Sequence, residues 1–338
     1  MLISIALCTY NGARYLEEQL ESIANQTRLP DELVICDDQS QDNTLEIVKK
    51  FSSKVSFPVR IVLNEKNIGS SKNFEKAIGL CTGDIIFLSD QDDVWVSAKL
   101  EQMEKVFSTS PNVGAVFTDA EAVDEKLQPL GYGLWQSVGF TENYQKNFTE
   151  GKSLEVLLKH NVVTGATMAF RSEFKDLFFP ISGIWVHDGW IALSIAFASN
   201  LVIIPEPLIK YRQHSMQQLG SSQPLNAYEK VNEKIRQLWD VKNSSYDFQP
   251  ECDRYTVFYN HLVNSQFPSI KRDKIPLLKA RIEHFCVRAN LPLSRSKRIP
   301  IAVKELFKLS YHRYSYGIGS FCGDIFRDNP KFIKSKKN

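Results

Sequence analysis

Three carboxylates within four residues, Asp90, Asp92 and Asp93, close an apolar run that begins at Ile85. Like charges packed this closely raise one another's pKa and repel. A hard divalent cation removes that cost, because Mg2+ and Mn2+ prefer oxygen ligands and often share them with phosphate. The chemistry on offer is a metal–diphosphate site at a strand end. The alternative is an acidic turn in which Asp92 or Asp93 caps the next helix. Two more polar clusters end apolar runs in the same way, Cys8-Thr9-Tyr10-Asn11 and Asp37-Asp38. Further on, His187-Asp188-Gly189-Trp190 places a carboxylate at the start of an apolar helix, where it is either a base or a cap. Tyr211-Arg212-Gln213-His214 adds a guanidinium that can pair with phosphate and an imidazole that can complete a metal shell, or else a salt-bridged loop.

These residues need elements to position them. Apolar runs at Leu2–Cys8, Glu32–Cys36, Val59–Leu63 and Ile85–Leu88 read as strands. Helical spacing over Arg14–Asn25, Thr44–Phe51 and Ser71–Leu80 separates them, with Asp42 or Asn43 as a plausible cap. The β-α-β-α-β-α-β order predicts an α/β fold with a doubly wound, mainly parallel sheet. In such sheets ligands bind off the carboxyl ends of the strands, where the three polar clusters would converge. Val113–Asp119 and Leu201–Ile204 read as further strands, and Asn161–Phe170 as a small-residue strand near a ligand. Gly131–Glu150 is aromatic and polar with weak periodicity, long for a loop and therefore functional or mobile. Beyond Asn226 the pattern turns helical, punctuated by prolines. A boundary near Ser221–Pro224 divides a catalytic domain, 1–222, from a basic helical region, 223–338. No G-x-G-x-x-G follows the first strand and no P-loop signature occurs, which argues against either phosphate cradle.

At 338 residues the chain can build a full core and a second unit, and 43% hydrophobic with 24% charged residues is ordinary for a globular protein. No apolar stretch reaches the roughly 18–20 residues that span a bilayer. The N-terminus lacks a basic n-region and is not expected to be a signal peptide. Six scattered cysteines with no C-x-x-C spacing suggest small buried residues in a reducing compartment, without disulfides or zinc. Charge is uneven. Lys271 to Asn338 holds 17 Lys and Arg against 5 Asp and Glu, whereas the first 270 residues hold 24 against 34. A basic end on an acidic body suggests an anionic neighbour, or simply a solvated helical face with a frayed tail.

Taken together and in order, these motifs resemble family-2 glycosyltransferases with the A-type nucleotide-sugar-binding fold. The match runs through Cys8-Thr9-Tyr10-Asn11-Gly12, Asp37-Asp38, Asn67-Ile68-Gly69, Thr82-Gly83-Asp84, Asp90-Gln91-Asp92-Asp93-Val94-Trp95, His187-Asp188-Gly189-Trp190 and Tyr211-Arg212-Gln213-His214. Ser-Asp-Gln-Asp-Asp-Val-Trp and His-Asp-Gly-Trp are similar to bacterial rhamnosyltransferase-like enzymes of surface polysaccharide assembly. The likeness covers residues 2 to about 220 and leaves out the helical C-terminal third.

The resemblance implies inverting transfer from a UDP- or dTDP-sugar with Mn2+ or Mg2+. It implies Asp188 as catalytic base and Asp92 with His214 at the metal. Thr9, Tyr10, Asn11, Asp38, Asp90 and Arg212 would hold the donor: Asp38 on the base, Tyr10 stacked on it, Asp90 on sugar or ribose, Arg212 on phosphate. Asp37, Asp93, His187 and Trp190 would support them, and Gln213–Ser222 would order over the donor as a lid. The acceptor would be a growing polysaccharide or lipid-linked glycan at the cytoplasmic face, with the basic end resting on the anionic inner membrane. Two rivals differ in kind. A non-catalytic nucleotide-sugar or glycan binder on the same fold would have no need of a base at Asp188. A nucleic-acid binder would use the basic, tyrosine-containing tail, but an acidic body and the lack of any nucleic-acid motif oppose it, so no nucleic-acid partner is expected.

Overall fold

Apolar runs buried on both faces become the central strands. The computed structural model describes residues 1–215, 217, 247–292 and 294–326. They form two compact units. The first comprises Met1–Val156, Asn161–Gln223 and Gln266–Ile270, and the second Leu157–His160, Pro224–Ser265 and Lys271–Asn338.

The first unit is built on a nine-stranded sheet: β1 (Ile3–Thr9), β2 (Glu32–Asp37), β3 (Val59–Leu63), β4 (Ile85–Ser89), β5 (Val94–Trp95), β6 (Val113–Val123), β7 (Pro129–Gly133), β8 (Met168–Arg171) and β9 (Asn200–Arg212). The strand order is β3-β2-β1-β4-β8-β6-β9-β5, with β7 on β6. The first four strands are parallel, as the helix crossovers require. The crossovers are α1 (Leu16–Ala24), α2 (Thr44–Ser52) and α3 (Ser70–Leu80). Every residue of β4 is buried, as are Ile3, Ile5, Leu33 and Ile35, which pack with Leu16, Leu20, Leu100 and Met103. Next to β4 the sheet direction reverses, because β8 runs antiparallel to both β4 and β6. This places a break in strand order beside the acidic cluster.

Three expectations change. Gly131–Glu150 is not a loop: it holds most of β7, then α5 (Leu134–Ser137) and α6 (Glu142–Thr149). Trp135 and Phe148 pack edge-on against Phe117 and Phe140 packs tilted against it, so the aromatic content of this segment is core. Asn161–Phe170 contains a short 3-10 turn at Gly165–Thr167 ahead of β8. β9 runs on past Pro205 and Pro207, because register shifts in its pairing with β6 absorb the lost ladder bonds. Helix α4 is Lys99–Thr109, α7 is Ser153–Leu157, α8 is Lys175–Phe178, and α9, His187–Ala196, starts four residues earlier than its apolar pattern implies.

The described part of the second unit is helical: α10 (Gln249–Asn264), α11 (Ile275–Ala289), α12 (Arg295–Phe307), α13 (Ser310–Tyr314) and α14 (Ile318–Phe326). Cys252 of α10 and Cys286 of α11 form a disulfide, with Cα atoms 5.2 Å apart. This corrects the expectation of six reduced thiols: a separation of 34 residues is no spacing signal, yet the two helices pack side by side. Among the described residues no helix is long and apolar enough to cross a membrane.

Candidate active site

Strand register brings the clusters together. Thr9 at the end of β1 pairs with Asp37 at the end of β2, and Leu7 pairs with Ser89 of β4. Continuing that register sets Asp90 to Asp92 level with Cys8 to Tyr10. The Gln91 amide closes the gap, accepting from Tyr10 N at 2.8 Å and donating to Tyr10 O at 3.1 Å. A side chain at Gly12 would displace that amide from Tyr10. On the other side, β5 pairs antiparallel with β9, Val94 opposite Lys210. Stepping two residues outward along both strands carries Asp92 to Arg212.

Asp92 meets His214 directly, Oδ2 to Nε2 at 2.8 Å. The imidazole also leans on the Tyr15 ring, centroids 4.7 Å apart. Asp93 is fully buried, and its Oδ2 has no hydrogen-bond partner among the described residues. Burial, then Asp92 and Asp90, push the Asp93 carboxyl well up. Burial, then Asp92 and Asp188, push Asp90 up to about 7. Beneath them lies Lys99, fully buried, with Nζ on Ala166 O at 2.8 Å and 3.6 Å from the Trp95 ring centre. Its ammonium is depressed by burial, while Asp93 and Asp90 oppose that shift.

The donor set fits a hard divalent ion. A carboxylate oxygen touches an imidazole, crowded carboxylates stand in need of positive charge, and one buried carboxylate oxygen is orphaned. No group of three or more His, Cys, Asp and Glu side chains among the described residues is arranged to hold an ion by itself. Ligands beyond Asp92 and His214 would therefore come from phosphate and water.

Asp188 lies in the first turn of α9, where the helix dipole favours negative charge. Gly189 N and Asn161 Nδ2 donate to its Oδ1, the latter at 3.4 Å, and Gly165 N donates to Oδ2 at 3.2 Å. Burial outweighs these bonds and raises the carboxyl to about 6. Its interaction with Asp90 puts the two in one electrostatic cluster. His187 beside it is buried and stacked on Phe74 at 4.0 Å. Burial lowers it to about 3, so it stays neutral.

Several other residues stand differently from expectation. Arg212 is not free for phosphate. It is 1% exposed, donates to Asp92 O at 2.7 Å and Glu125 O at 2.6 Å, pairs with Glu18, and lies over the Tyr15 ring. Its backbone N–H also holds Asp93 Oδ1 at 3.1 Å. It is a strut for the acidic turn. Trp190 is 1% exposed and donates to Phe178 O at 2.7 Å, so its support comes from within the core. Asp37 receives Thr9 Oγ1, Ser40 N and Ser40 Oγ. Asp38 receives Asn64 Nδ2, Ile68 N and Gly69 N, each at 2.8 Å, and so shapes the Asn67-Ile68-Gly69 turn. Asn11, at φ 49°, ties Gln41 N and Ser40 Oγ. Tyr10 remains half exposed at the rim. Of the expected lid, Met216 and 218–222 lie outside the described residues, as does the boundary near Ser221–Pro224. Gln91, Tyr15 and Lys99 were missed. Only Gln91, inside the acidic motif, had any signal in the sequence.

A family model described as "Glycosyl transferase family 2" matches residues 4–178, more than half of the chain. The chain belongs to glycosyl transferase family 2. This family-2 chain is 29% identical over 227 residues to an uncharacterized glycosyltransferase of Nostoc sp., covering 63% of this chain and 65% of that one. It is 26% identical over 250 residues to the dTDP-rhamnosyl transferase RfbG of Shigella flexneri, covering 69% and 80%. It spans less than two thirds of the Nostoc relative's length. Among solved structures, S. aureus TarS 1-349 in complex with UDP-GlcNAc superposes with a TM-score of 0.60 at 15% identity, covering 99% of this chain and 92% of that one. The mannosyltransferase PcManGT of Pyrobaculum calidifontis, in complex with GDP-Man and Mn2+, gives 0.52 at 17%, covering 91% and 74%. At such identities the structures establish the A-type nucleotide-sugar transferase fold.

Proposed function

We propose that this glycosyltransferase performs inverting, metal-dependent transfer of a sugar, with rhamnose one candidate, from a UDP- or dTDP-sugar to a growing cell-surface polysaccharide or lipid-linked glycan. The observation that carries the reading is that three distant segments deliver Asp90 with Asp92, Asp188, and His214 to one end of the sheet. The donor class is supported by the nucleotide sugars bound in TarS and PcManGT and by the name of the Shigella relative. Residues 1–222 form the catalytic part. Residues 223–338 form an acceptor- or membrane-facing part, working at the cytoplasmic side of the membrane.

Asp92 and His214 would hold Mn2+ or Mg2+, which when bound neutralises charge on the leaving diphosphate. Asp188 takes the acceptor hydroxyl's proton as that oxygen attacks the anomeric carbon from the face opposite the phosphate. Oδ2 is the receiving atom, since Oδ1 already accepts two hydrogen bonds and Oδ2 one. With a pKa of about 6 this carboxylate is ionised at neutral pH and is a better proton acceptor than an ordinary Asp. The bond to phosphate breaks with its electron pair going to the nucleotide, so no enzyme nucleophile is required. Neutral His187 packs beside Asp188 and brings no competing charge. Thr9, Asp37, Asp38, Asn11 and Gln91 fix the loops around the donor, with Tyr10 at its rim.

The test is thermal stabilisation by UDP, dTDP, GDP and CMP, each with Mn2+ and with EDTA. A metal-dependent shift from UDP or dTDP supports the reading. No shift from any nucleotide in either condition overturns it.

A further inference from the structure

The second unit carries a surface that sugar transfer does not use. On the inner side of α12 to α14 polar groups satisfy one another. Arg288 binds Asp324 through two bonds of 2.7 and 2.9 Å, and Tyr311 donates to the same carboxylate. His284 bridges Glu305 at 3.1 Å and Ser315 at 3.0 Å. Residues 294–326 contain only two acidic side chains, Glu305 and Asp324, and both are buried in this network. Within this described stretch no carboxylate is left for the outer side. Lys297, Lys304 and Arg313 are exposed there, and their side chains make no hydrogen bond or ion pair among the described residues.

Large apolar side chains stand among these cations. Phe307 is 84% exposed, Tyr316 82%, Leu309 51% and Ile318 54%. Helical spacing puts His312 and Arg313 on one face of α13, opposite buried Tyr311 and Tyr314, and exposed Leu309 precedes the helix as its left-handed cap. The following turn folds back onto that face. Gly317 N bonds to Tyr311 O at 2.9 Å, and a Cβ on Gly317 would lie 3.2 Å from the His312 ring. Tyr316 and Ile318 flank that glycine and so join the patch. Single exposed apolar residues are ordinary, whereas a contiguous set ringed by cations marks an interaction surface. A second copy would bring like charge against like. A nucleic acid would suit the cations but leave Leu309 and Ile318 without a role. A bilayer surface uses both, with apolar tips at the acyl boundary and cations on anionic headgroups.

We propose that the outer face of α12 to α14 is a docking surface for anionic lipid, with Phe307, Leu309, Tyr316 and Ile318 entering the interface and Lys304 and Arg313 pairing with headgroups. This deepens the membrane-facing part of the reading above and rests on it. The test is sedimentation of the full chain with vesicles of phosphatidylcholine alone or mixed with phosphatidylglycerol. Binding is expected only to the mixed vesicles and should weaken as salt is raised. The double variant Phe307→Ser with Tyr316→Ser should lower partitioning at least about tenfold. The pair Lys304→Gln with Arg313→Gln should lower it about thirtyfold, near fivefold for each charge. Neither pair should alter melting temperature or stabilisation by nucleotide. Absent binding, equal binding to both vesicle types, or binding that survives the aromatic substitutions overturns the proposal. A concentration-dependent dimer abolished by those substitutions, without vesicle binding, overturns it in favour of self-association. The assay needs neither donor nor acceptor. A chain that binds nucleotide but ignores vesicles loses the surface alone, and one that sediments but binds no nucleotide loses the transfer reading alone.

Discussion

Replacing Asp188 by Asn tests the base assignment without changing shape. The amide keeps the volume and can still accept from Gly165 N, but it cannot take a proton. Removing a positioned general base typically costs about 100- to 10,000-fold in rate, so kcat should fall at least about 100-fold. Donor affinity should stay within about twofold, because Asp188 sits on the acceptor side of the reaction. The wild-type pH profile supplies an independent magnitude. A base with a pKa of about 6 is mostly ionised at pH 8 but only about one-tenth ionised at pH 5, so kcat should drop about tenfold across that span. Asn161 steadies the ionised form through its 3.4 Å bond. Asn161→Ala should therefore move the acid limb upward by about half a unit, since a weak hydrogen bond is worth under about 1 kcal/mol. Initial rates at saturating donor, with isothermal titration of nucleotide into each variant, measure all three quantities. If Asp188→Asn keeps more than a tenth of wild-type turnover, or if the acid limb is unchanged in Asn161→Ala, Asp188 is not the base.

His214→Ala should weaken Mn2+ binding in the presence of nucleoside diphosphate about 10- to 100-fold; equal affinity in a Mn2+ titration followed by electron paramagnetic resonance would exclude the imidazole. Arg212→Met strips three hydrogen bonds from a buried guanidinium and leaves the carbonyls of Asp92 and Glu125 without that donor. It should destabilise the fold by about 3 kcal/mol in denaturant melts, where an exposed phosphate-binding arginine would cost almost nothing. His284 is held at about 4 by burial and Arg288, against about 6.5 in an unfolded chain. Between those values only the unfolded chain takes up the proton. The His284 contribution to stability should fall by about 3 kcal/mol as pH drops from 6.5 to 4; a denaturation midpoint constant over that window would refute this.

Strands β1, β2 and β4 were readable because they are covered on both faces and so appear as near-unbroken apolar runs. Val59–Leu63 emerged with its bounds unchanged, and the polar ends of β1, β2 and β4 pointed to a shared site before any register was known. β9 was not readable to its end, since two prolines usually terminate a strand and only its partner's register shifts rescue it. Residue type announced Asp92 and His214 as an oxygen and a nitrogen donor, and the pairing of β5 with β9 is what joins them. Type could not tell whether a polar group was already engaged. Arg212 looks like a phosphate ligand in one dimension, and in three its donors are taken by carbonyls and Glu18. Trp190 and Trp135 likewise announce a ring without saying that the core claims it.

Lys99 has a consequence for lineage. Lys99 at the start of a helix is held by Ala166 O and the Trp95 ring, and Asp90 and Asp93 are the charges that favour its protonated form against burial. Lysine and aspartates therefore form one electrostatic unit. A descendant that gave up catalysis and replaced those aspartates would remove the charges that favour the ammonium, leaving a buried neutral amine that an apolar residue could replace. Methionine or leucine at this position, together with a vanished acidic turn, would identify retired enzymes among the relatives of this chain, even where the rest of the fold is intact.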